Sequence, residues 1–293
     1  MLAEQIHLRR WNDKELLVEI LPGTLLQVLF FAVPLLMLIL LSFQVSKQFL
    51  LVWSWDLETW QTIFTRSHYW ITLLRTALAA MATVVLCLVI GFPVAYALAV
   101  RLPTYENHIK ILIIFAFLTD AVLKTYGWVL LLDQNGIVNV ALRSTGLVSD
   151  DFDLGLIFTH GATIIGMTYN LLPFTIFTIY LSVIAIDRDL LLAAYDAGSS
   201  KLQAFRSITL PLCKPGIWAG AVFVFILSMG ALLEERILGG GTSPMMGALI
   251  RQTFETRVNW PLGAALTIVL VVATIALVLL FSRLYLRKRG AVA

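Results

Sequence analysis

Residues 193–216 read AAYDAGSSKLQAFRSITLPLCKPG, a polar stretch carrying Asp196, Lys201, Arg206 and Lys214 between two long apolar runs. Asp187, just upstream, can cap a helix over 188–197, in which Leu190, Leu191 and Ala194 share a face by three- and four-residue spacing. Gly198 is placed to end that helix, because glycine takes the left-handed C′ conformation at little cost. Ser200 followed by Gln203 reads as a capping box that opens a second helix with Leu202, Phe205 and Ile208. Pro211 and Pro215 are expected to stop it. The stretch therefore predicts two short capped helices joined by a tight elbow, with apolar side chains that need a groove to occupy. A linker folded back onto its own bundle is the plainer reading, and the density of capping argues against it.

The surroundings of this elbow are lipid-like. The chain has 293 residues, is 59% hydrophobic and 13% charged, and has a mean hydropathy of +0.88. A soluble domain carries roughly 25% charged residues, so half that share makes lipid the main solvent. Six segments reach the ~20 apolar residues that a bilayer core requires. They are 24–44, 71–100, 110–132, 156–184, 217–237 and 261–284. Pro34, Pro93 and Pro173 lie inside them, which membrane helices tolerate, and Pro173 is expected to kink the fourth. The predicted class is an all-α membrane protein of six transmembrane helices, a single transmembrane domain over 1–293. Its polar parts are an N-terminal tail (1–23), the loop 185–216 between helices 4 and 5, and a C-terminal tail (285–293). The first span follows the polar tail as a signal anchor would.

Lys and Arg set the orientation. Thirteen of the 21 fall in the two tails, the turn after the second span and the 185–216 loop, counting Lys110 and Arg283 at the adjoining span ends. Five (Lys47, Arg66, Arg143, Arg251 and Arg257) fall on the opposite side, and three lie within spans. The positive-inside rule then places both termini and the elbow in the cytoplasm. On the other side, WSWDLETWQTIF (53–64) carries Trp53, Trp55 and Trp60 and suits a helix lying at headgroup level. DQNGIVNVALRSTGL (133–147) opens with the turn pair Asn135-Gly136 and continues as a short amphipathic stretch. Interfacial anchoring and docking of an extracytoplasmic partner both fit these segments.

A charge at the bilayer centre costs about 2.5–3.5 kcal/mol on insertion scales, so charged and polar residues in the spans ask for a reason. Asp120 and Lys124 are four apart on the third helix and are expected to neutralise each other, the alternative being that Asp120 lines a path and attracts a cation. Glu235-Arg236 reads as a solvated end of the fifth span, and Glu234 as a path-lining acid. Tyr169 and Asn170 precede Pro173, where a gate could bend. Tyr126 and Trp128 are gate aromatics or, more plainly, interfacial belt residues.

Several classes are excluded. GxxxxGK[ST], HExxH and CxxC are missing, and the histidines (7, 68, 109 and 160) are scattered. Cys87 and Cys213 make no disulfide framework. A net charge of +3, with the one basic run Arg287-Lys288-Arg289 at a membrane surface, speaks against nucleic acid. No catalytic site, metal site or cofactor is expected in this chain.

At the elbow the chain resembles the permease subunits of binding-protein-dependent ABC importers. Their cytoplasmic loop reads Glu-Ala-Ala, then Gly four residues after the second alanine, then Leu-Pro twelve residues on. Here the positions are Leu192-Ala193-Ala194, Gly198 and Leu210-Pro211. KTYGWVLLLDQNGIVNVALRSTGL (124–147), GMTYNLLPF (166–174), ILGGG (237–241) and NWPLGAALTIVL (259–270) are similar to the first permease of spermidine/putrescine-type importers. The resemblance runs from about Leu25 to the end.

That resemblance implies the type I ABC importer permease fold, with the elbow as a coupling-helix hairpin seated in the ATP-binding subunit. It makes Leu192, Ala193, Ala194, Asp196, Gly198, Leu210 and Pro211 coupling residues, and leaves Asp120, Lys124, Tyr126, Trp128, Tyr169, Asn170 and Glu234 as candidates for the solute path. The implied partners are a pair of ATP-binding subunits holding ATP and Mg, a second related permease, a periplasmic solute-binding protein and the lipid of the bacterial inner membrane. The implied solute is a polyamine, and the chain itself is a transport subunit and no enzyme. Two positions depart from the pattern. Leu192 stands where the coupling glutamate is usual, and Gly230-Ala231-Leu232 stands where polyamine-type permeases often read Gly-Asp-Phe. The second departure keeps another small organic solute, such as an amino-acid derivative, open. An ion-coupled secondary transporter or a membrane scaffold would be the alternatives from other classes, and six spans with one large folded loop fit the former poorly.

Overall fold

Long apolar helices dominate the chain because lipid leaves backbone groups no partner outside the helix itself. The computed structural model describes residues 13–47, 50–100, 111, 114–146, 148–149, 151–241 and 244–290. The first twelve residues, the 101–110 segment with Arg101 and Lys110, Thr242-Ser243 and the last three residues lie outside the described residues. In chain order the elements begin with α1 (Asp13–Ser42) and an antiparallel hairpin of β1 (Val45–Lys47) and β2 (Leu50–Val52). There follow α2 (Glu58–Thr65), α3 (Ser67–Val100), α4 (Ala121–Leu132), α5 (Ile137–Ser144), α6 (His160–Ile184), α7 (Arg188–Asp196) and α8 (Lys201–Ala204). A π-helical turn (Phe205–Thr209) leads into α9 (Leu210–Met229), then α10 (Leu233–Leu238), α11 (Met246–Glu255) and α12 (Trp260–Gly290).

Among the described residues, five helical stretches are long and apolar enough to cross a membrane: Leu21–Ser42, Ser67–Val100, His160–Ile184, Lys201–Met229 and Trp260–Arg283. Two expected spans differ from the sequence reading. The third is interrupted: residues 114–118 are helical, Thr119-Asp120 is not, and α4 starts afresh at Ala121. The fifth ends at Met229 rather than 237, and the chain turns through Gly230-Ala231 before α10. Pro173 sits within α6 with no break in the helix around it.

Three apolar layers run along the bundle. Near the elbow, Ala95 of α3, Ile179, Tyr180 and Val183 of α6 and Cys213 of α9 are buried together. Midway, Ala80, Val84 and Cys87 meet Val224, Phe225 and Met229. At the far end, Ile63, Tyr69, Met246, Leu249, Leu262 and Leu266 close the core between α2, α3, α11 and α12. Both cysteines are free and buried. α1 lies along α12 and leaves Leu25, Phe30 and Phe31 exposed, as a helix at the lipid face does.

Glycines decide how closely α9 approaches α6. A Cβ at Gly216 would overlap the Ser182 hydroxyl and stand 2.9 Å from the Thr178 carbonyl oxygen; one at Gly220 would stand 2.6 Å from Thr178 Oγ1. Two small residues four apart make one flat stripe, the geometry that lets membrane helices touch. Gly216→Val is expected to cut the yield of folded, membrane-inserted chain several-fold, read as monodisperse protein after detergent extraction. Wild-type yield would show that the two helices separate without cost.

Candidate functional site

The elbow has the geometry that its sequence predicts. Asp187 caps α7 by accepting from the Asp189 N–H at 2.9 Å. Gly198 has φ +84, the N–H of Ser199 donates to the Ala194 carbonyl at 2.9 Å, and the N–H of Gly198 donates to the Tyr195 carbonyl at 2.9 Å. These two bonds are the paired closure of a Schellman end. The capping box is complete: the Gln203 N–H donates to Ser200 Oγ at 3.3 Å, and the Ser200 N–H donates to Gln203 Oε1 at 2.8 Å.

Pro211 and Pro215 do not stop the second helix, contrary to the sequence expectation. Helix continues from Lys201 to Met229, through a π turn in which the Leu210 N–H bonds the Phe205 carbonyl. The wider turn absorbs the missing Pro211 N–H and gives its ring room beside the carbonyl four residues back. Pro211 then sits in the first turn of α9, where proline is tolerated. The elbow is thus continuous with a membrane-crossing helix.

Its two halves face different surroundings. Ala204 is buried, and Phe205 meets Phe92 and Tyr96 of α3 edge-on, with centroids at 5.9 and 5.2 Å. No residue of α7 is buried; Leu190, Leu192 (57% exposed) and Tyr195 are open. Ala193 and Asp196 are also exposed, Ala194 and Leu210 half-buried. Folding back onto the bundle therefore describes the second half of the elbow and not the first.

The second constellation lies where α4, α6 and α10 converge. Asn170 (7% exposed) donates through Nδ2 to Glu234 Oε1 at 2.8 Å and to Thr125 Oγ1 at 3.2 Å. Its Oδ1 is buried and finds no partner among the described residues. Trp128 and Tyr169 meet edge-on at 5.7 Å. Gly166 lets α10 close in, since a Cβ there would collide with Leu238 and touch Glu234 at 3.5 Å. A carboxylate, an amide and two rings are thereby gathered on one side of the bundle.

Tyr126 is elsewhere: it lies on the exposed side of α4, two residues and about 200° round the helix from Trp128. Asp120 and Lys124 do not pair. Asp120 is the N-cap of α4, accepting from the Val122 N–H at 2.8 Å and the Leu123 N–H at 3.2 Å, while Lys124 Nζ donates to the Ala116 carbonyl at 3.2 Å. The four-residue spacing implied an unbroken helix, and the break at Thr119-Asp120 gives both charges backbone partners instead. Glu235 is no solvated end. It is 2% exposed, with Oε1 buried and without a hydrogen-bond partner among the described residues. Thr125 was missed by sequence reading, although Ala121, Thr125, Trp128 and Leu132 share one helical face by their spacing.

The cap role yields a test. Asp120→Ala is expected to destabilise α4 by about 1 kcal/mol, whereas Asp120→Asn caps as well and leaves stability and transport near wild type. Thermal unfolding of the detergent-purified variants reads the difference. Equal losses in both would return Asp120 to a role resting on its charge.

A bundle of long apolar helices bearing a capped elbow and a polar notch defines a membrane-spanning transport subunit. The chain belongs to the family of binding-protein-dependent transport system inner membrane components, whose pattern matches residues 24–290. The spermidine/putrescine transport system permease protein PotB of Escherichia coli (strain K12) is 35% identical over 216 residues, 73% of this chain and 78% of that protein. The protein of the same name from Haemophilus influenzae is 32% identical over 227 residues, 78% of each chain. The fold is that of type I ABC importer permeases. A subunit of a bacterial ABC transporter involved in the import of the acidic polysaccharide alginate superposes with a TM-score of 0.68 at 20% identity, covering 94% of this chain and 96% of that one.

Proposed function

We propose that this chain is one permease of an ATP-driven polyamine importer and lines the path of spermidine or putrescine across the bacterial inner membrane. The observation that carries the coupling half of this reading is α7, capped at both ends and without one buried residue. A rigid helix with Leu190, Leu192 and Tyr195 open to solvent is a surface made for a partner, and the ATP-binding subunit is the partner the family resemblance supplies. ATP and Mg are held by that subunit pair. A second, related permease brings the second elbow, and with Leu192 in place of glutamate this copy grips through apolar contact. The excess of Lys and Arg orients the elbow and both termini to the cytoplasm, leaving the opposite face to a periplasmic binding protein.

The solute half rests on the named relatives and on Glu234, Asn170, Trp128 and Tyr169. A half-buried carboxylate on the side of the bundle that also carries the Trp128–Tyr169 ring pair suits an alkylammonium chain. Lys124, held to the Ala116 carbonyl, and Asp120, held as a cap, are scaffold for that notch. The test is uptake of labelled spermidine into vesicles carrying the full complex, with binding protein outside and ATP within. ATP-dependent uptake competed by putrescine supports the reading. Gly230-Ala231-Leu232 keeps a different small organic solute open, and competition by an amino-acid derivative with no effect of polyamines would select it.

A further inference from the structure

On leaving α1 at Ser42 the chain folds at once into an aromatic corner. Phe43 lies 5.9 Å from both Trp55 and Trp60 between ring centroids, with planes tilted by 35° and 37°. Trp60 stacks on Phe64 at 6.2 Å and Phe64 on Trp70 at 5.8 Å, which carries the row of rings onto α3. The Asp56 N–H donates to the Phe43 carbonyl at 2.9 Å, fixing this acid to the corner. Asp56 Oδ1 accepts from the Glu58 N–H at 3.0 Å, and its other carboxylate oxygen has no partner among the described residues. Phe43, Trp55, Asp56, Leu57 and Gln61 line a cleft of about 610 Å³. Trp55, 72% exposed, forms one wall.

Ring faces with one carboxylate and an amide attract an alkylammonium group, through cation–π attraction and a charge-assisted hydrogen bond. The cleft lining holds no cation, so of a zwitterionic headgroup the ammonium and not the phosphate would enter it. Its position chooses the source of the ammonium. It sits directly after a membrane-crossing helix, and Trp53, Leu57 and Phe64 around it are exposed. Tryptophans at a helix end mark headgroup level. A soluble amine would leave these side chains in water, whereas a lipid covers them with glycerol and acyl carbons. We propose that this cleft binds the primary ammonium headgroup of an ethanolamine phospholipid. The site is separate from the Glu234 notch and independent of which solute is transported.

The full chain, purified in detergent from membranes containing ethanolamine and glycerol phospholipids, should carry ethanolamine lipid in excess of its share of the membrane, as counted by mass spectrometry of the retained lipids. Trp55→Ala and Asp56→Asn should each lower that excess about three- to fivefold, the scale of one exposed cation–π contact. Trp55→Phe keeps a ring and should keep most of the excess. Thermal unfolding at the wild-type temperature shows that the variants are folded, and Asp56→Asn still caps the Glu58 N–H. Unchanged excess in both folded variants would overturn the proposal. So would release of the lipid by added spermidine, which would assign the cleft to soluble amines.

Discussion

Gly198→Val is expected to leave the chain inserted and assembled while lowering ATP hydrolysis stimulated by loaded binding protein about tenfold. At φ +84 a residue other than glycine is strained by about 1–2 kcal/mol, and a β-branched side chain is worse placed than most. A Cβ at this position would meet nothing within 4 Å, so crowding plays no part and the penalty is purely conformational. The backbone escapes by rotating to negative φ, which breaks the Ser199-to-Ala194 and Gly198-to-Tyr195 bonds together. α7 then loses its fixed angle to α8, and with it any lever from α7 to α9, whose helix is continuous with α8 through the π turn. A shift of about 1.4 kcal/mol is a factor of ten in the population of the competent elbow. Gly198→Asn, which tolerates the left-handed region, should restore most of the stimulation. Normal stimulation by the valine variant would mean that force does not pass through this elbow.

The elbow was legible in the sequence because its signals are local. Asp187, Gly198, Ser200 and Gln203 each act on backbone groups within three or four residues, so no neighbour can override them. Pro211 was misread because a proline's effect depends on what the chain gains by staying helical. Here Cys213, Gly216 and Gly220 are buried against α6, and that packing holds α9 in place while the π turn yields. Asp120 and Lys124 failed in a related way. Their spacing says that they share a face only if the helix is unbroken, and the cap competes with the helix for the same aspartate. The gathering of Asn170, Glu234 and Thr125 joins residues 45 and 64 positions apart and has no local signature at all. Glu235 looked solvated because charge is usually outside. Its burial follows from α10 folding back against α6, an approach set by Gly166 that no pattern in residues 230–238 announces.

Glu234 is where charge and architecture can be separated by a single atom. Glu234→Gln keeps an oxygen to accept from Asn170 Nδ2, so the 2.8 Å bond and the seat of α10 survive while the negative charge is lost. If Glu234 holds an ammonium of the solute, the loss is that of one charged hydrogen bond, about 1.5–3 kcal/mol. The spermidine concentration for half-maximal uptake should then rise about tenfold or more, with assembly and resting ATP hydrolysis unchanged. Glu234→Ala removes the acceptor as well and leaves Asn170, already short of a partner at Oδ1, with the Thr125 hydroxyl alone. It should show the same rise in half-saturation together with a lower yield of folded complex, because an amide is now buried with fewer bonds. A glutamine variant with wild-type half-saturation and an alanine variant impaired only in yield would make Glu234 a peg that fixes α10 to α6, and would move the solute to other walls of the path.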